Sequence, residues 1–160
     1  TKLEKKGKVT RNKKNILIFS KDHQGHYILS YKLFLNNPFF GTGPKGFRYH
    51  CRKTNYSTTE EGGICSTHPH NILMQVLSEL GIVGLIFYII AITFLILNLY
   101  KSLKIKEKFI EKNCLIITTF AISIMLFPFL PSGNFFNNWQ SLTLYYYFGL
   151  YLFAYKRLFK

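Results

Sequence analysis

Acidic side chains are scarce: 7 Asp and Glu stand against 21 Lys and Arg in 160 residues, a formal net charge of +14. Charge of either sign is missing altogether from Leu80–Tyr100 and from Asn113–Tyr155. Such stretches exclude a uniformly water-facing surface and point to lipid. Cysteine, at 3 residues, is too rare for a disulfide-dense scaffold, and Trp occurs once. There is no charged stretch followed by an apolar core and a cleavage site at the start, so no targeting signal is visible and the chain reads as the C-terminal part of something longer. The basic excess comes with no nucleic-acid motif, which sets nucleic acid aside as a partner. Lipid phosphates and anionic headgroups are then the nearer targets.

What is present divides into two unlike halves. Phe (16) and Tyr (11) are abundant and 48% of residues are hydrophobic, yet the mean hydropathy is only +0.09, because residues 1–79 hold 13 of the 21 basic side chains. The pattern predicts an all-α integral membrane protein. Residues 1–79 would form a largely helical loop with short amphipathic helices, and residues 80–160 a three-span segment at about 80–100, 114–130 and 139–155. Leu80–Tyr100 supplies 21 uncharged residues, where a hydrocarbon core needs roughly 20. Residues 101–113, with five Lys and two Glu, and the tail Lys156, Arg157 and Lys160 share one side after two crossings. The positive-inside rule makes that side cytoplasmic and puts residues 1–79 outside, in the periplasm.

Along the outer half, residues 1–15 are a basic run and Ile16–Phe19 a short apolar one. A helix follows in which Tyr27, Tyr31, Phe34 and Leu35 mark one face, ended by Asn36, Asn37 and Pro38. That face suits a membrane interface. In PFFGTGPKGFR, Gly41 and Gly43 let backbone amides approach a ligand, Lys45 offers charge and Arg48 a fork for phosphate oxygens. The competing reading of this stretch is a plain turn.

Cys51 and Cys65 bracket a polar loop and suggest a disulfide in an oxidising compartment, with Cys65, His68 and His70 as a weaker, non-standard metal set. Pro69 in HPHN suits the first turn of a helix, which would put His70 and Asn71 at its N-terminus, followed by Ile72, Leu73, Val76, Leu77 and Leu80 at helical spacing. Gly81 marks a break or a close contact. A His at a helix N-terminus stays neutral and can accept a proton. Phe135, Phe136, Trp139 and Tyr145–Tyr147 fit interfacial positions.

NPFFGTGPKGFR, CSTHPHNILMQVLSELGIVGL and FPFLPSGNFFNNWQS, in that order, resemble the C-terminal part of the O-antigen ligase and polymerase family over most of residues 26–153. The resemblance implies a multi-span transferase of the bacterial inner membrane. Such an enzyme takes a glycan from undecaprenyl pyrophosphate and joins it to a hydroxyl of lipid A-core or of another glycan. It implies His70 as the essential loop histidine and Arg48 as part of the phosphate-binding charge. His26 stands where the family often shows an Arg. His68 and Asn71 would shape the loop or touch substrate, and no cofactor or metal is implied. The rival from another class is a non-catalytic membrane carrier of polyprenyl-linked glycans, which would also want aromatic spans and outer cations.

Overall fold

A computed structural model describes residues 21–53, 65–106 and 108–160 of the chain. The basic run and the Ile16–Phe19 stretch lie outside these residues. The regular elements among the described residues are all helices, with one isolated bridge between Asn71 and Pro131 and no strand. Five helices follow in order: α1 (Lys21–Asn36), α2 (Gly46–Lys53), α3 (Ile72–Leu103), α4 (Phe109–Met125) and α5 (Asn138–Phe159).

α3 organises the rest, packing against α1, α2 and α4, while α4 and α5 pair with each other. Two apolar clusters result. One joins Ile72, Val76 and Leu95 of α3 to Leu115 and Ile122 of α4 and Tyr151 of α5. The other, smaller, holds Leu29, Leu33, Phe47 and Cys51 with Cys65 at its edge. Among the described helices, α3 alone is long and apolar enough to cross a membrane by length and composition. Ile82, Ile86, Phe87, Ile89 and Ile90 point outward from it. A row of that kind facing water would be costly. Polar groups inside the bundle find partners: Asn98 donates to the Tyr151 hydroxyl at 3.0 Å, and the Tyr88 hydroxyl donates to the Leu126 carbonyl where α4 ends.

Several boundaries differ from those read in the sequence. The predicted short helix and first span form one helix, α3, bent at Gly81. α4 begins at Phe109 and stops at Met125 rather than running to 130, because Pro128 disfavours helical backbone just before it. α5 runs on through Lys156 and Arg157 to Phe159. Lys108 donates to the Arg157 carbonyl at 2.7 Å, a cation on the carbonyls of the last turn. In α1 the packed face is distinct from the aromatic one assigned to a membrane interface. His26, Leu29, Ser30 and Leu33 are buried, whereas Tyr31 and Leu35 are exposed.

The bend in α3 carries the loop that bears the glycines. A regular helix would bond Ile82 N to the Ser78 carbonyl and Val83 N to that of Glu79. Here Gly81, at φ 66 and ψ −157, turns those two amides onto the carbonyls of Pro38 and Phe39, at 2.8 and 3.2 Å. The freed carbonyls of Ser78 and Glu79 accept from Thr42 N and Gly43 N, each at 2.9 Å. Loop and helix therefore exchange hydrogen bonds two for two, and no backbone group is stranded. A Cβ on Gly41 would stand 2.4 Å from the Glu79 carbonyl carbon, and one on Gly81 2.5 Å from the Phe39 oxygen. Both positions also have positive φ. Gly81→Ala is expected to lower stability by at least about 2 kcal/mol, through left-handed backbone and overpacking together. Thermal unfolding in detergent measures it, and an unchanged midpoint would mean the interlock is absent.

Candidate functional site

The segment before α3 is fixed at both ends of its short run. Asn71 is the N-cap: its side-chain oxygen accepts from Met74 N at 3.0 Å, and its amide donates to the Pro128 carbonyl at 2.7 Å. Both ends of the amide are engaged within the protein, and 7% of the residue is exposed. Pro69 is buried and precedes the helix instead of opening it. His70 adopts φ 57, which a non-glycine residue holds only where its surroundings enforce it. Its carbonyl accepts from Ser132 N at 2.9 Å. Through these bonds the HPHN segment and residues 128–132 are stitched together.

The left-handed turn at His70 gathers the imidazoles. The His70 ring centroid lies 4.0 Å from that of His68, 5.3 Å from His26 and 5.7 Å from His23. His70 Nε2 is 3.0 Å from Ser66 Oγ, and His68 Nδ1 is 2.9 Å from Thr67 Oγ1. Burial pushes the His70 pKa below its ordinary value, and His23 pushes it the same way. His68 is depressed to about 4, by burial first and then by the nearby His70. The causes that favour a neutral His70 are desolvation first and a second imidazole next.

Next to this cluster opens a cavity of about 880 Å³ lined by Lys45, Arg48, Thr67 and His68 on one part, by residues of the 133–147 stretch on another, and by Ala121, Ile124 and Met125 of α4. His70 is not among its lining residues and stands behind His68. Beneath it, buried Glu79 accepts Phe47 N at 3.1 Å, at the start of the helix that carries Arg48. Its other oxygen accepts from Gln75 Nε2 at 2.9 Å. That same Gln75 nitrogen reaches Asn134 Oδ1 at 2.8 Å, while Gln75 Oε1 takes Phe135 N at 3.0 Å. One chain of side chains therefore ties the cationic and the 133–147 parts of the cavity wall to the first turns of α3.

Residues 26–89 match the family model described as O-antigen ligase. The resemblance read from the motifs is to that family. No curated protein and no solved structure matched the chain. The match points to glycosyltransferase-type function in O-antigen biosynthesis, and members of the family are membrane proteins.

The matched segment contains every site residue expected from the sequence, from His26 to Asn71. Lys45, Arg48 and His68 meet at the cavity, and His26 is buried against His70 and Phe47. The glycines are placed differently from a phosphate cradle. The amides of Gly41 and Gly43 donate to Asn37 and Glu79 carbonyls, so their role here is close approach to α3. Cys51 and Cys65 lie together at disulfide distance, Cα atoms 5.5 Å apart, which takes Cys65 out of the Cys65, His68, His70 ligand set. Sequence reasoning passed over His23, Gln75, Glu79 and Asn134. His23 and His26, three apart on one helix, carried a readable signal; Gln75 and Asn134 are 59 apart in the chain and carried none.

Proposed function

We propose that the protein is a glycosyltransferase of the inner membrane that joins an undecaprenyl-pyrophosphate-linked glycan to an acceptor sugar hydroxyl. The observation that carries this reading is one cavity lined by two cations and one imidazole, with a second imidazole directly behind. Lys45 and Arg48 hold the diphosphate and offset the charge that grows on it as the bond from the anomeric carbon to its phosphate oxygen breaks. The acceptor oxygen attacks that carbon from the opposite face, and a neutral imidazole takes its proton. The reaction is inverting, and these residues act without a metal. His70 is the base in the primary reading, and His68 holds the loop between it and the cavity. His68 itself is the alternative base, favoured by its place in the cavity lining. The acceptor is lipid A-core or a further glycan. A glycolipid gel of a deletion strain complemented with the full-length protein tests the reading. Wild type should restore the extended glycolipid and His70→Ala should not; equal restoration by His70→Ala and His68→Ala alike would favour a carrier.

In this reading residues 1–79 face the periplasm, α3, α4 and α5 span the bilayer, and residues 101–113 lie in the cytoplasm. The outward apolar face of α3 supports the first crossing. Tyr49 and Lys106 are both exposed, and each can carry a reporter Cys in a Cys114→Ala background. A membrane-impermeant maleimide added to intact spheroplasts should modify position 49 and spare 106. The reverse pattern would invert the orientation.

A periplasmic setting also allows Cys51 and Cys65 to be joined. Closing a loop of about 15 residues restricts the unfolded chain by roughly 3 kcal/mol in the entropy model. Intact mass after alkylation without reductant should show neither thiol modified. Two alkylated cysteines at 51 and 65 would refute the bridge.

A further inference from the structure

The part of the cavity contributed by residues 133–147 lies outside the segment that matches the family. Its side chains include Asn134, Asn137, Gln140, Thr143, Trp139 and Tyr147. Trp139 is the chain's sole tryptophan, and the residue is 77% exposed. A place in the membrane interface would account for an exposed Trp, but not for its company. Asn137 occupies the N-cap position of α5, where Asn ordinarily bonds the first-turn amides. Its side chain makes no cap bond and lines the cavity instead. Asn134 is held in place, its Oδ1 accepting from Gln75 and from Phe136 N at 2.8 and 2.9 Å. Gln140 is packed against Gly133, where a Cβ would come within 2.4 Å of its side-chain oxygen.

Amides and a hydroxyl beside two aromatic rings match one class of ligand better than others. A phosphate would call for cations, and these lie on the Lys45 and Arg48 part of the cavity. A lipid tail would leave the amides desolvated without partners. A pyranose ring offers hydroxyls that both donate and accept, as Asn and Gln do, and an apolar C–H face that packs on an aromatic ring. The cavity's size sits in the upper part of the roughly 300–1,000 Å³ range of small-molecule sites, leaving room for a sugar beside a diphosphate.

We propose that Trp139, with Asn137, Gln140 and Tyr147, forms a pyranose subsite for the sugar next to the diphosphate. The inference rests on the transferase reading for the position of the diphosphate, but not for the recognition of the sugar. Full-length protein in detergent micelles is titrated with farnesyl diphosphate and with N-acetylglucosaminyl diphosphate farnesyl, followed by tryptophan emission and by competition binding. The sugar-bearing probe should bind about tenfold more tightly, as expected of one aromatic packing contact with its polar neighbours. It should also change an emission component that is missing in Trp139→Phe. Trp139→Ala should remove the advantage of the sugar and leave farnesyl diphosphate affinity unchanged, and Trp139→Phe should keep most of it. Equal affinity of the two probes for wild type, or an equal loss for both in Trp139→Ala, would overturn the subsite. Failure of the phosphate reading looks different: Arg48→Ala would leave both affinities unchanged while the preference for the sugar-bearing probe survived. Binding of neither probe would overturn both.

Discussion

His70→Ala should reduce glycan transfer by about 100-fold or more while the protein remains folded and inserted, the loss expected when a general base alone is removed. The ring contacts Ser66 Oγ, whereas the loop around it is held by main-chain features, the left-handed backbone at His70 and the bond from Ser132 N to its carbonyl. Truncating the side chain should therefore leave α3 and its cap in place. His68→Ala should cost less if His68 only shapes the loop, and as much or more if the cavity-facing ring is itself the base. The two variants in one assay thus separate the two assignments. Acidification offers a second readout. Both rings titrate below the usual histidine range, His68 at about 4. The base form should survive past pH 6.5, so activity should fall only on further acidification. The sign for stability is the same: below about 6.5 the unfolded chain binds protons that buried rings refuse. Stability should then decline from there toward pH 4, and unfolding must be monitored alongside rate.

Arg48 should show the second large effect. Two parallel hydrogen bonds from a planar guanidinium to phosphate oxygens cannot be reproduced by an ammonium. Arg48→Lys should lose activity on the order of 10- to 100-fold, close to the loss in Arg48→Ala. Arg48 is exposed and lines the cavity on α2, so neither change should disturb packing. Steady-state transfer rates at saturating acceptor check it, and full activity in the Lys variant would reduce Arg48 to a surface charge.

Much of the fold was open to reading because single-residue signals were strong. Uncharged runs, Pro38 and Pro128, and the break at Gly81 each act through local composition or backbone physics. The packed face of α1 was not legible. Tyr27, Tyr31, Phe34 and Leu35 are the more apolar choice, but the core takes His26 and Ser30, with the His26 ring set against Phe47 of α2. The glycine loop misled for a related reason. Glycines allow close approach without saying to what, and here the neighbour is the Ser78–Glu79 backbone. The Glu79–Gln75–Asn134 connection depends on residues far apart in sequence, which no periodicity encodes. The location of His70 behind His68 likewise follows from a φ of 57 that residue type alone would argue against.

The central claim is that the cavity beside the histidines transfers a glycan rather than carrying one. Purified full-length protein, given an undecaprenyl-pyrophosphate glycan and an acceptor in the presence of EDTA, measures this most directly by product formed. The account predicts product from wild type and, from His70→Ala, donor binding without product. Product from His70→Ala and His68→Ala at the wild-type rate, or donor binding by wild type with no transfer, would contradict it.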